Sequence, residues 1–161
     1  MRIEIDGKWL FYKKYHDEDY IQSHDTRRNV ILNDQREFPK YCLRNNTEQE
    51  IVVYKIDGGL IKNNTSLKCD YGIYTEHDVL YLVELKGGDY YHALEQIQST
   101  IDILLTGPNI IVKQLNVRIV LSKTRTPNIV STLEKKLNIL LKKKYGKGDI
   151  LKRTRFLEET I

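Results

Sequence analysis

Two neighbouring apolar segments constrain this chain most: residues 67–74 and Val79–Lys86, joined by Thr75-Glu76-His77-Asp78. Side chains alternate across a strand, and here both alternate sets are apolar. Gly72, Tyr74, Leu80 and Leu82 share one face; Tyr71, Ile73, Tyr81, Val83 and Leu85 share the other. A hairpin of that kind needs both faces covered, which predicts a central position in a sheet packed under helices. Asp70, Glu84 and Lys86 interrupt the pattern near the strand ends. Unpaired carboxylates are costly in apolar surroundings, so their place beside loops and an ion-accessible edge makes physical sense.

The flanking sequence extends this core into a mixed α/β fold. Residues 51–56 are β-branched and aromatic, and Asp57-Gly58-Gly59 breaks the run. Lys62-Asn63-Asn64-Thr65-Ser66 reads as the turn before the second strand, and Gly87-Gly88 ends the third. Asp89 is placed to cap a helix whose apolar stripe is Tyr90, Ala93, Leu94, Ile97, Ile101, Leu104 and Leu105. Gly107-Pro108 stops that helix, and residues 115–121 form a fourth strand. Thr126-Pro127 is expected to open a second helix, with Ile129, Val130, Leu133, Leu137, Leu140 and Leu141 on its buried face. Lys142, Lys143 and Lys144 suit the negative end of its dipole, and Gly146 caps it. A last strand is expected over 149–155. The order β-β-β-α-β-α-β predicts a mixed sheet with a three-strand meander at its centre.

With 161 residues, one domain is expected: a core over 51–122, then a basic helix and C-terminal strand over 123–161. Residues 1–49 resist assignment. Residues 1–5 alternate like a short strand, the Trp9 to Tyr15 cluster suits packing, and 16–34 are polar without a period. No apolar run is long enough for a membrane span, and the first residues lack the apolar segment of a secretory signal. Cys42 and Cys69 fit no metal or disulfide framework. Two reduced structural thiols in a cytoplasmic protein are expected.

Charge is distributed unevenly. Residues 1–117 carry 14 Lys/Arg against 18 Asp/Glu, whereas 118–155 carry 12 Lys/Arg against Glu134 and Asp149 alone. Such a segment suits a polyanion or a solvated lysine-rich helix face. The nucleic-acid reading assigns phosphate contacts, without sequence readout, to Lys123, Arg125, Lys135, Lys136, Lys142 and Lys143 and also to Lys152, Arg153 and Arg155.

If the hairpin pairs Thr75 with Val79, Asp70 falls opposite Glu84, with Cβ atoms about 4.5–5.5 Å apart. A one-residue slip would turn Asp70 to the other face. Two carboxylates so placed can hold Mg²⁺ or Mn²⁺, which lowers the pKa of a bound water. Lys86, on the same face as Glu84 by alternation, can orient that water or offset charge on a phosphate.

Asp70, thirteen intervening residues, Glu84-Leu85-Lys86 and a following helix resemble the PD-(D/E)XK nuclease superfamily. That group includes restriction endonucleases, Holliday-junction resolvases and repair nucleases. The resemblance spans roughly residues 51–122. It implies a restriction-endonuclease-like fold, with Asp70, Glu84 and the Leu85 carbonyl as metal ligands and Lys86 as catalytic lysine. Gln96 resembles the glutamine that many members carry beside the site. Cys69 stands where many members have proline. Glu48 and Glu50 are candidates by position for a glutamate that some members add from a first helix. Asp57 could join the site, although an Asp-Gly turn accounts for it; His92 reads as a surface histidine. The resemblance implies phosphodiester hydrolysis, most directly of DNA. A homodimer is plausible, because cutting both strands of a duplex usually takes two sites. The rival readings are a non-cleaving module on the same fold that binds nucleic acid or protein, and an interaction protein whose basic helix meets an acidic partner.

Overall fold

A computed structural model describes residues 9–33, 39–86, 89–123 and 131–161. A mixed six-stranded sheet forms its centre, in the order β1 (Ile21–Asp25), β4 (Ile51–Lys55), β5 (Tyr71–Thr75), β6 (Val79–Lys86), β7 (Gln114–Leu121), β8 (Ile150–Thr154). The pairs from β1 to β6 are antiparallel, and β6, β7 and β8 run parallel. A second sheet, β2 (Asn29–Asn33), β3 (Lys40–Arg44) and β9 (Phe156–Thr160), pairs β2 with β3 antiparallel and β3 with β9 parallel.

The doubly apolar hairpin lies at the middle of the large sheet, and its two faces feed two separate cores. Leu80 and Leu82 pack with Phe11 of α1 (Leu10–Lys14), Ala93, Leu94, Ile97 and Ile101 of α2 (Tyr90–Ile101), and Leu137 and Leu141 of α3 (Thr132–Lys144). Tyr81, Val83 and Leu85 pack instead with Val30, Leu32, Tyr41, Leu43 and Leu157 of the small sheet. The expectation of helices on both faces is therefore corrected: one cover is a β-sheet. Its strands come from the unassigned N-terminal third and the far C-terminus.

Asp89 caps α2 as expected, its Oδ1 accepting the His92 N–H at 2.9 Å. The helix continues through a π-helical turn over Asp102–Thr106 before Gly107. The proposed start of the next helix at Thr126-Pro127, with Ile129 and Val130, lies outside the described residues, as do residues 1–5 and Gly87-Gly88. Ser131 is extended (φ −76°, ψ 162°) and accepts the Glu134 N–H on its side chain. The described α3 therefore begins at Thr132, a correction to the expected start. Gly146, at φ 67°, closes it; a Cβ there would stand 2.7 Å from the Lys113 carbonyl oxygen.

Two strand boundaries also move. The second strand begins at Tyr71 rather than Leu67, because α2 takes over the preceding backbone groups. The Cys69 N–H donates to Thr100 Oγ1 (2.9 Å), and Gln96 Nε2 donates to the Lys68 carbonyl (3.1 Å). The single expected strand at 149–155 is really β8, and Arg155 (φ 71°) turns the chain out of one sheet and into β9 of the other. Trp9 and Phe11 are buried against Tyr74 and Tyr54, so the early aromatic cluster is packing. No helix among the described residues is long and apolar enough to cross a membrane.

Candidate functional site

The β5–β6 turn sets the site. Tyr74 pairs with Leu80, Ile73 with Tyr81, Gly72 with Leu82 and Tyr71 with Val83. This is the register that the Thr75–Val79 turn length predicts, and the pairing runs to Tyr71, one residue short of Asp70. Asp78 holds the turn at φ 61°, its carboxylate accepting from Tyr74 Oη (2.5 Å) and the Lys113 N–H (2.9 Å). Burial raises the pKa of Asp78, and the bond from Tyr74 works against that rise.

Asp70 is half-buried just ahead of β5. Its Oδ2 accepts the Leu85 N–H at 2.8 Å, and its carbonyl accepts from Ile56 (3.0 Å) and Asp57 (3.4 Å). The carboxylate thus continues the ladder where β5 has ended. N–H and C=O of one strand residue share an edge, so the Leu85 carbonyl lies on the edge that faces Asp70. Glu84 is 1% exposed, in the row of Leu80 and Leu82 beneath α2. Beside it Cys69 is fully buried; burial first, and then the Glu84 carboxylate, push its thiol well above the usual range. Both cysteines are free and buried, as expected.

Gln96 meets this corner through Lys68 and Cys69 rather than through the carboxylates. Its Nε2 holds the Lys68 carbonyl, and its carbonyl accepts from Thr100 Oγ1, which in turn receives the Cys69 N–H. Its buried Oε1 has no hydrogen-bond partner among the described residues. Lys86 closes β6 opposite Leu121, and its side chain lies outside the described residues. Asp57 behaves as the turn residue expected: Gly58 follows at φ 77°, and the Asp57 carboxylate stands 4.0 Å from Lys68 Nζ.

Glu48 and Glu50 are a correction. Lys55 pairs with Tyr71 and Ile51 with Thr75, so both glutamates precede the opposite end of β4 from Asp70. Glu50 bonds His24 Nε2 there at 2.8 Å, and Glu48 stands 3.8 Å from Arg28. Neither can serve the Asp70–Glu84 corner. His92 is a surface residue 3.6 Å from Glu95, as read from sequence.

The basic segment divides three ways. Arg118 is 5% exposed between the sheets, bonded to Glu159 (2.6 Å) and Asp149 (2.9 Å), with its guanidinium over Tyr81. It entered the charge count of the segment, but its role is structural. Lys123, Lys135, Lys136, Lys142 and Lys143 are exposed, but not at one place. Lys123 follows the end of β7, whereas Lys142 bonds the Gly148 carbonyl beside Leu115, near the start of β7. Because α3 crosses from one end of the sheet to the other, Lys142 and Lys143 lie far from the carboxylates. Arg125 is outside the described residues.

Sequence reading did not single out the cluster at the shared N-terminal ends of α2 and α3. Tyr90 donates its hydroxyl to Glu134, and Lys152 Nζ stands 4.2 Å from the Tyr90 ring centroid. The strand registers were the signal that could have found it, and these require the whole sheet. A groove of about 340 Å³ lies along α2 between Leu67, Tyr91, Glu95, Asp102 and Leu133, and none of the candidate residues lines it.

The groups at the corner that could hold a metal, the Asp70 and Glu84 carboxylates and the Leu85 carbonyl, offer hard oxygens that suit Mg²⁺ or Mn²⁺ better than softer metals. No third His, Cys, Asp or Glu joins them in a metal-sized group among the described residues. No family model, curated protein or solved structure matches this chain.

Proposed function

We propose that this chain is a metal-dependent nuclease of the PD-(D/E)XK type, hydrolysing phosphodiester bonds, most directly in DNA, on a restriction-endonuclease-like fold. The observation that supports the reading is the β5–β6 hairpin, at whose end the Asp70 carboxylate accepts the Leu85 N–H (2.8 Å), the residue after the buried Glu84. The order β4–β5–β6–α2–β7 also agrees with the meander, helix and strand of that superfamily.

Asp70, Glu84 and the Leu85 carbonyl would hold Mg²⁺ or Mn²⁺. Glu84 is withdrawn from water, where its charge acts strongly on a cation brought beside it. A bound ion would supply Lewis acidity to the phosphate and lower the pKa of water. The bond from the Leu85 N–H fixes the Asp70 carboxylate, so the pair is organised before substrate arrives. Lys86 orients the attacking water and offsets charge developing on the phosphate. Gln96 holds the Lys68–Cys69 backbone that leads into Asp70, a supporting role.

The test is cleavage of labelled duplex, branched and single-stranded DNA and of RNA, with Mg²⁺, Mn²⁺ or EDTA. Wild type is compared with Lys86→Ala and Glu84→Gln. Metal-dependent cutting that falls at least a hundredfold in both variants is expected. Well-folded wild-type protein that cuts none of these substrates sinks the proposal.

A further inference from the structure

One row of residues crosses the large sheet on its helix-covered face. Asp70 accepts the Leu85 N–H beside Glu84, Glu84 pairs with Ile119 on β7, and Ile119 pairs with Lys152 on β8. Lys152 is therefore two strand spacings from Glu84, about 10 Å. It is half-buried and makes no ion pair among the described residues. Its ammonium rests on the ring of Tyr90, the first residue of α2. Tyr90 in turn is tied through its hydroxyl to Glu134, whose own N–H is capped by Ser131 (3.1 Å). Two other cations of the segment differ: Arg118 is consumed by two carboxylates, and Lys142 is bonded to a carbonyl at the far end.

An ammonium on an aromatic face keeps its charge and its three donors available while its position is fixed. A freely rotating surface lysine lacks that fixed position. We infer that Lys152, held by Tyr90 and Glu134, anchors a phosphate flanking the one hydrolysed at Asp70 and Glu84. The inference rests on the nuclease reading and gives that site a direction: the nucleic-acid strand crosses the sheet from β5 toward β8, over the N-terminal ends of α2 and α3. Over about 10 Å, the anchored phosphate lies one or two nucleotides along the strand from the scissile one.

The test uses Lys152→Met, which keeps the stem and removes the charge, and Lys152→Arg, which keeps both charge and stacking. DNA substrates carry a single uncharged methylphosphonate at each of four flanking positions in turn. Lys152→Met is expected to raise KM about tenfold, more than it changes kcat. It should also reduce the slope of log affinity against log salt by about 0.9. Lys152→Arg should restore most of both. One methylphosphonate should weaken wild type about tenfold and leave Lys152→Met no weaker than on the natural substrate. The anchor is overturned if Lys152→Met leaves KM and salt slope unchanged, or if every methylphosphonate weakens both proteins equally. If Lys152→Met melts early, Lys152→Gln against Lys152→Arg in the same salt titration decides. Wild type that binds DNA without cutting, with the slope still lost in Lys152→Met, refutes the nuclease reading and keeps the anchor. Cleavage with no Lys152 effect does the reverse. Failure both to bind and to cut overturns both.

Discussion

Arg118→Met separates the structural from the ligand-binding use of positive charge in this chain. The side chain is 5% exposed and makes charge-assisted bonds to Glu159 at 2.6 and 3.2 Å and to Asp149 at 2.9 Å. Its guanidinium also bonds the carbonyls of Val117 (3.0 Å) and Asp149 (3.1 Å). Removing one partner of a buried pair costs about 3–5 kcal/mol, mostly from the charge left behind. Here the partners keep some water, Glu159 being 20% and Asp149 45% exposed. The lower end applies, about 3 kcal/mol, or a Tm lower by about 6–12 °C for a chain of this size. Glu159 also accepts from Tyr41 Oη (2.7 Å), so Glu159→Gln should destabilise as well. The double variant should cost at least about 1 kcal/mol less than the two singles together, because both break one pair. Urea unfolding of the four proteins measures this. A loss below about 1 kcal/mol for Arg118→Met, or additivity with Glu159→Gln, refutes the reasoning. So does a fall in the DNA-binding salt slope, since a buried guanidinium has no counterions to release.

Other outcomes follow from the same geometry. Helix α3 has 13 residues, about 20 Å, so its last lysines meet only substrates that reach that far from the carboxylates. Lys143→Ala/Lys144→Ala should weaken binding of duplexes longer than about six base pairs and leave shorter ones bound as by wild type; equal weakening at all lengths counts against this placement. Tyr15 and Tyr81 are pushed up to about 12, by burial first. They hold their protons more tightly folded than unfolded, so their contribution is complete below about pH 10 and is lost as pH rises toward 12. Urea midpoints at pH 9, 10 and 11 should fall in order, and a flat or rising series contradicts this. The Cys42 and Cys69 thiols are both raised by burial. A thiol-disulfide reagent at pH 8 should label native protein slowly and denatured protein at once; immediate stoichiometric labelling of the native form would show that burial to be wrong.

The parts legible in sequence were those whose signal is local. Strand β6 announced itself through two apolar faces, α2 through its stripe and the Asp89 cap, and the β5–β6 register through a turn of fixed length. Strand β1, Ile21-Gln22-Ser23-His24-Asp25, carries almost no pattern, because it is an edge strand defined by its partner β4. The small sheet was hidden for a related reason: β9 gains its meaning from β3, far away in the chain. Lysine counting located neither Arg118 nor the end of α3. Burial and the direction of a crossover are properties of the assembled sheet.

The parallel pairing of β3 with β9 has a consequence for synthesis. Tyr41 meets Leu157 and Arg44 meets Thr160 across nearly the whole chain. While the polypeptide is being made, the β2–β3 hairpin must wait with one edge open, and an open edge is a template for pairing with other chains. Contacts this distant in sequence also form slowly. A nascent chain stopped before residue 156 would lack the strand that closes the second core and the glutamate that neutralises Arg118. Its vulnerability to aggregation would last until β9 has been made.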